Sequence, residues 1–151
     1  MRTRIDRTVI AFIGLLVAGC GGMPAMPTEP VNLTGTWSGV IGQGSGGGNA
    51  LRVTWTAAQN GTTATGPVSV LTSPPVTDVT FSGVMSGTIS GTQVTLTLSG
   101  QPLAGSDCSL TGTGTASAAS GNLAGSFDVH FSSSCGALQP PANGGFVLAR
   151  Q

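Results

Sequence analysis

The stretch "FSGVMSGTISGTQVTLTLSG", residues 81–100, decides the fold. In its second half Val94, Leu96 and Leu98 alternate with Thr95 and Thr97. In its first half Phe81, Gly83, Met85 and Gly87 share one parity, with Ser82, Ser86 and Thr88 on the other. A period of two sends alternate side chains to opposite faces of a strand, so each half has one face suited to a core and one coated with hydroxyls. Between the halves, Ser90-Gly91 is a turn signal for a two-residue hairpin. A turn on those two residues sets Gly87 opposite Val94, Met85 opposite Leu96 and Gly83 opposite Leu98. Directly opposed residues share a face, so inward residues meet inward residues and large side chains meet small ones.

The same pattern recurs on both sides. It predicts eight strands, at 33–41, 50–59, 63–71, 79–90, 92–99, 108–120, 123–134 and 145–150. In "ALRVTWTAAQ" Leu51, Val53 and Trp55 share a face. In "NLAGSFDVHF" Leu123, Phe127, Val129 and Phe131 alternate with Ser126, Asp128 and His130. A turn at Asn60-Gly61 predicts Trp55 opposite Gly66 and Val53 opposite Val68. A turn at Gly121-Asn122 predicts Phe131 opposite Gly112, Val129 opposite Gly114 and Phe127 opposite Ala116. No segment has a convincing helical period.

Connections alternate between tight turns and long loops. Those after the second, fourth and sixth strands are tight. The others span 42–49, 72–78, 100–107 and 135–144. In an up-and-down topology every tight turn then lies at one end, with both termini, and every long loop at the other. Eight antiparallel strands of this kind close into a barrel without exposed edges, wide enough to hold one small ligand. A flat meander leaves two edges, and a Greek-key sandwich needs longer crossings. An outer-membrane barrel needs an apolar outer face, whereas this one is threonine and serine. The expected fold is therefore an all-β, eight-stranded antiparallel up-and-down barrel over residues 33–151.

Composition limits the partners. Only 7% of the 151 residues are charged, against about 25% in an average soluble domain. There is no lysine, and after residue 20 only Arg52 and Arg150 are basic, so no phosphate-binding surface for nucleic acid is expected.

The chain opens with Arg2, Arg4 and Arg7, then the apolar "VIAFIGLLVAG" (9–19), then Cys20. This is the layout of a secretory signal, and its apolar part is too short to span a bilayer as a mature helix. "VAGC" (17–20) resembles the lipobox of bacterial lipoproteins. The resemblance implies cleavage before Cys20, acylation of its sulfur, and two or more acyl chains, enough for stable membrane attachment. Residues 1–19 are then a signal peptide, and 20–32 a lipidated cysteine and flexible tether rich in proline and glycine. The same resemblance, to lipoproteins of two-membrane bacteria, implies export to the outer membrane, because Gly21 stands where an aspartate is absent. The three cysteines are odd for a secreted protein. Lipidation uses Cys20 and leaves Cys108 and Cys135 in a compartment that permits disulfides. The hairpin through Gly121-Asn122 sets these two directly opposite each other, with Cα atoms about 4.5–5.5 Å apart, within bridging range.

"LTGTW" (33–37) resembles the first-strand G-x-W motif of the calycins, the lipocalins and avidins, and "FVLARQ" (146–151) is similar to their last strand. The resemblance implies that Arg150 packs across Trp37 and closes the barrel bottom. The tryptophans and tyrosine of an avidin biotin pocket have no counterparts, and there is no lipocalin-style helix before the last strand.

Catalytic constellations are poor. His130 is the only histidine; its parity puts it outside the barrel beside Asp128, without a cleft to exclude water. No metal set is expected, because Asp78, Asp107 and Asp128 are scattered and the cysteines are committed. "GQGSGGGN" lacks the lysine and the following helix of a phosphate loop. No cofactor and no enzyme activity are implied. Two expectations remain. One is a lipid-anchored envelope lipoprotein that binds a small, mostly apolar ligand inside the barrel. Its candidate lining is Trp55, Phe81, Met85, Leu96, Leu98, Phe127 and Phe131, with room left by Gly83, Gly87, Gly112 and Gly114. The other is a structural or protein-interaction lipoprotein with a filled barrel. Trp55 is read as core, and a role as ligand platform is the lesser alternative. How full the interior is separates the two expectations.

Overall fold

A computed structural model of the chain describes residues 30–42, 50–72, 79–102, 107–138 and 144–151. The predicted lipidation site Cys20, the whole 1–19 segment and most of the four long loops lie outside the described residues. The strands are β1 (Gly35–Ile41), β2 (Leu51–Asn60), β3 (Thr63–Thr72), β4 (Thr80–Ser90), β5 (Gln93–Pro102), β6 (Leu110–Ala119), β7 (Asn122–Phe131) and β8 (Gly144–Arg150). Each pairs antiparallel with the next, and β8 pairs with β1, which closes the barrel. Alternation is visible as burial. On β5 Val94, Leu96 and Leu98 are buried while Thr95, Thr97 and Ser99 are exposed.

All three tight turns differ from the predicted placement by one position, which slides each hairpin by two residues. Asn60 pairs with Thr63 and Ser90 with Gln93, so the turn residues are Gly61-Thr62 and Gly91-Thr92. Ala119 pairs with Asn122, so the third turn is Ser120-Gly121. The physical reason is the position of the positive φ. Gly61 (59°) and Gly91 (60°) carry it at the first turn position, the pattern of a type II′ turn. Ser120 (48°) and Gly121 (78°) are both positive, as in type I′. Trp55 therefore faces Val68, Met85 faces Leu98, and Phe127 and Val129 face Gly114 and Gly112. A slip of two residues preserves parity, so every inward face stays inward.

The sixth and seventh strands are also shorter than predicted. Leu110 faces Phe131 at the end of their ladder. Cys108 precedes β6, and Cys135 lies in a short 3-10 turn, Ser133–Leu138, so the two are not ladder partners. The bridge forms nonetheless, with Cα atoms 4.6 Å apart. Ser109 and Ser132 hold its base: the Ser132 amide donates to the Ser109 carbonyl, and the Ser109 amide to the Ser132 hydroxyl, both at 2.9 Å. Closing a loop of 27 residues contributes roughly 3–4 kcal/mol in the chain-entropy model.

The tight turns gather at one end, where backbone bonds step around the rim. Ile89 donates to Thr62 at 2.8 Å, and Ala118 to Thr92, Arg150 to Gly121 and Gln151 to Thr36 at 2.9 Å each. The disulfide and the bases of the long loops lie at the other end.

Candidate functional site

The barrel interior was the candidate ligand site, and its residues do converge. Trp55, Phe81 and Leu96 have no exposed surface, and Met85, Leu98 and Phe127 are at most 3% exposed. They belong to one apolar cluster with Leu51, Val53, Val70, Leu110, Leu123, Val129, Phe146 and Leu148. Phe131 packs edge-on against Phe81, with ring centroids 5.5 Å apart, but is only partly buried, at the long-loop end. Phe127 meets Phe146 in the same edge-to-face manner at 5.8 Å. The Trp55 indole N–H donates to the Met85 carbonyl at 3.1 Å, which satisfies its one polar atom within the core.

The four inward glycines are spaces already taken. A Cβ on Gly114 would lie 2.6 Å from the Ser126 carbonyl oxygen and 2.9 Å from Phe127 Cγ. One on Gly112 would lie 3.0 Å from the Asp128 carbonyl oxygen and 3.3 Å from Phe127 Cδ1. The Phe127 ring thus lies across both glycines. On Gly87 a Cβ would be 3.1 Å from Val94 and 3.2 Å from Leu96. On Gly83 it would strike the β5 backbone at Ser99 and Gly100. These glycines allow close packing and strand coiling rather than leaving vacant volume.

The tight-turn end is sealed by the segment that leads into β1. Leu33 is fully buried, with its side chain near Gly87. Its amide donates to Gln59 Oε1 at 2.6 Å, while Gln59 Nε2 donates to the Val31 and Gly61 carbonyls at 3.1 and 2.9 Å. The Trp37 indole N–H donates to the Leu33 carbonyl at 2.7 Å. Arg150 pairs with Trp37 across β1 and β8, and its guanidinium lies 5.0 Å from the indole centroid, a cation–π contact. The same guanidinium donates to the Asn32 carbonyl. The sequence pattern does not mark Leu33 and Gln59 as seal residues. The available signal was Gln59 itself, a polar residue at an inward parity beyond Val53, Trp55 and Ala57.

The polar residues considered for chemistry stay apart from this interior. Asp128 and His130 are exposed on the outer wall, opposite Thr113 and Thr111. Among the described residues no group of three His, Cys, Asp or Glu side chains comes together as a metal site. No described side-chain polar atom is buried without a hydrogen-bond partner.

No family model, curated protein or solved structure matches this chain.

Proposed function

We propose that this chain is a lipid-anchored cell-envelope lipoprotein, held in the outer membrane through acylated Cys20. Its barrel is a filled, rigid body that acts through its surface and loops on protein partners, and it has no catalytic role. The observation that carries the reading is the occupied interior. Phe127 fills the space beside Gly112 and Gly114, Leu96 and Val94 fill that beside Gly87, and Leu33 seals the closed end. A lipocalin-type carrier needs an open apolar cavity with a few polar groups. The calycin likeness is supported by Arg150 over Trp37 and is a likeness of scaffold. The anchor reading rests on the basic start, the short apolar run and "VAGC".

The small-ligand reading keeps one supporting feature, the partly buried Phe131 at the long-loop end. It places an apolar ligand against that rim, outside the packed interior.

Growth of expressing cells with a fatty-acid analogue tests the anchor. The chain should carry label and fractionate with membranes, and Cys20→Ala should lose both. A labelled or membrane-bound Cys20→Ala chain would overturn it. A stoichiometric apolar small molecule extracted from folded protein would overturn the filled-barrel reading.

A further inference from the structure

We infer that the barrel clasps its own tether: residues 26–29 dock in a groove at the closed end, with the Glu29 carboxylate on the Arg150 guanidinium. The groove holds about 330 Å³ between the segment that leads into β1 and the β6–β7 turn. Pro30, Asn32, Trp37, Ala118, Ala119 and Arg150 line it. Pro30 also lines a second groove, beside Gln59 and Gly61. The described part of the chain thus begins in the wall of both grooves. The four residues before Pro30 span at most about 13–14 Å, so the covalent connection delivers them to the groove.

Charge selects this occupant. Glu29 is the only charged residue between Cys20 and Arg52. Arg52 faces Val40 and Leu71 toward the long-loop end, so among the described residues Arg150 is the one cationic side chain at the closed end. The described acids lie elsewhere: Asp107 precedes β6 at the long-loop end, and Asp128 stands on the outer wall of β7. Arg150 is exposed and donates to the carbonyl of Asn32, three residues after Glu29. A guanidinium carries five N–H donors, so this bond leaves capacity for a carboxylate. Glu29 precedes a proline, which favours extended backbone and narrows the positions its carboxylate can take. Met26 and Pro27 match the apolar part of the lining, Pro30, Ala118 and Ala119. The clasp sets the height of the barrel. Residues 20–29 allow up to about 33–36 Å between Cys20 and the closed end, and residues 20–25 alone only about 20–22 Å. Docking therefore keeps the closed end near the membrane and the long-loop end outward.

Only that consequence, not the clasp itself, rests on the anchor reading. The test places a nitroxide on Thr28→Cys of the mature chain in phosphatidylcholine vesicles, with Cys108 and Cys135 bridged. Electron paramagnetic resonance reads the ratio of slow to fast label, and the same chain unfolded in urea gives the fast reference. The folded chain should show mainly slow label. Glu29→Gln changes no residue of the barrel and should lower the slow-to-fast ratio by about 1.5- to 5-fold, the effect of one exposed ion pair. Glu29→Asp keeps the charge and should lower it less. A label as fast as in urea would overturn the docking. A slow label that Glu29→Gln leaves unchanged would overturn the pairing with Arg150. A slow label seen only on vesicles, lost in Arg150→Gln but not in Glu29→Gln, would give Arg150 to a lipid phosphate and overturn the clasp. Cys20→Ala separates the two readings. That chain should leave the vesicles and keep its slow label in solution. If it stays on the vesicles with a slow label, the anchor reading fails while the clasp stands. If it leaves them and the label turns fast, the clasp fails while the anchor reading stands.

Discussion

Gly114→Ala probes the filled interior most sharply. The added methyl group meets two neighbours at once, the Ser126 carbonyl oxygen at 2.6 Å and Phe127 Cγ at 2.9 Å. Neither gives easily. Ser126 is in the β7 ladder, and the Phe127 ring is 2% exposed and edge-on to Phe146. Overpacking of this kind costs about 1–3 kcal/mol. Loss of unfolded-state freedom on replacing glycine offsets about 0.4–1 kcal/mol. The net expectation is a loss of roughly 1–2 kcal/mol. With an unfolding entropy of about 2.1 cal/mol/K per residue over roughly 120 residues, that lowers Tm by about 4–8 °C. Thermal unfolding followed by circular dichroism measures it. The double variant Gly114→Ala/Phe127→Leu supplies an internal control. With the ring gone, the two losses should combine to less than their sum by at least about 0.5 kcal/mol. If Gly114→Ala changes Tm by less than about 2 °C, the ring has vacant space to move into, and the packed-interior reasoning is wrong.

Three further outcomes follow from the same geometry. Cys108→Ala/Cys135→Ala should lose roughly 3–4 kcal/mol in urea unfolding of the oxidised protein, and a loss under about 1 kcal/mol would mean the bridge holds little of the chain in place. Leu33→Ala should cost about 2–5 kcal/mol, since Leu33 is fully buried at the closed end. An unchanged urea midpoint would show that the barrel is sealed without it. Arg150→Met keeps an apolar stem over Trp37 but removes the charge, and should cost about 0.5–2 kcal/mol by thermal unfolding. A neutral result would assign the contact no energetic role.

The barrel was legible in the sequence because its evidence is parity, and parity survives small errors of register. Each tight turn was displaced by one position, yet Met85, Leu96, Phe127 and Val129 still face inward. Asn60-Gly61 and Ser90-Gly91 read as turns with glycine second, whereas the fold uses Gly61 and Gly91 at the first turn position. The β6–β7 ladder ends at Leu110 and Phe131, before it reaches Cys108 and Cys135. The short 3-10 turn after Phe131 brings Cys135 back, and no hydrophobic period announces so brief a turn. The closed-end seal was hidden for a different reason. Gln59 and Leu33 are 26 residues apart and meet through the β1–β2 register, which no tight turn marks in the sequence. Whether the inward glycines leave room or take up neighbours was also beyond the sequence, because it depends on where the Phe127 ring lies.

The most direct measurement is the intact mass of the chain isolated from its own membrane, taken first under native and then under denaturing conditions. The filled, anchored barrel predicts a mature chain that begins at Cys20 and carries acyl groups. It should be lighter by two hydrogens for the Cys108–Cys135 bridge, and its mass should be the same in both conditions. An unmodified Cys20, or a stoichiometric small molecule lost on denaturation, would contradict it.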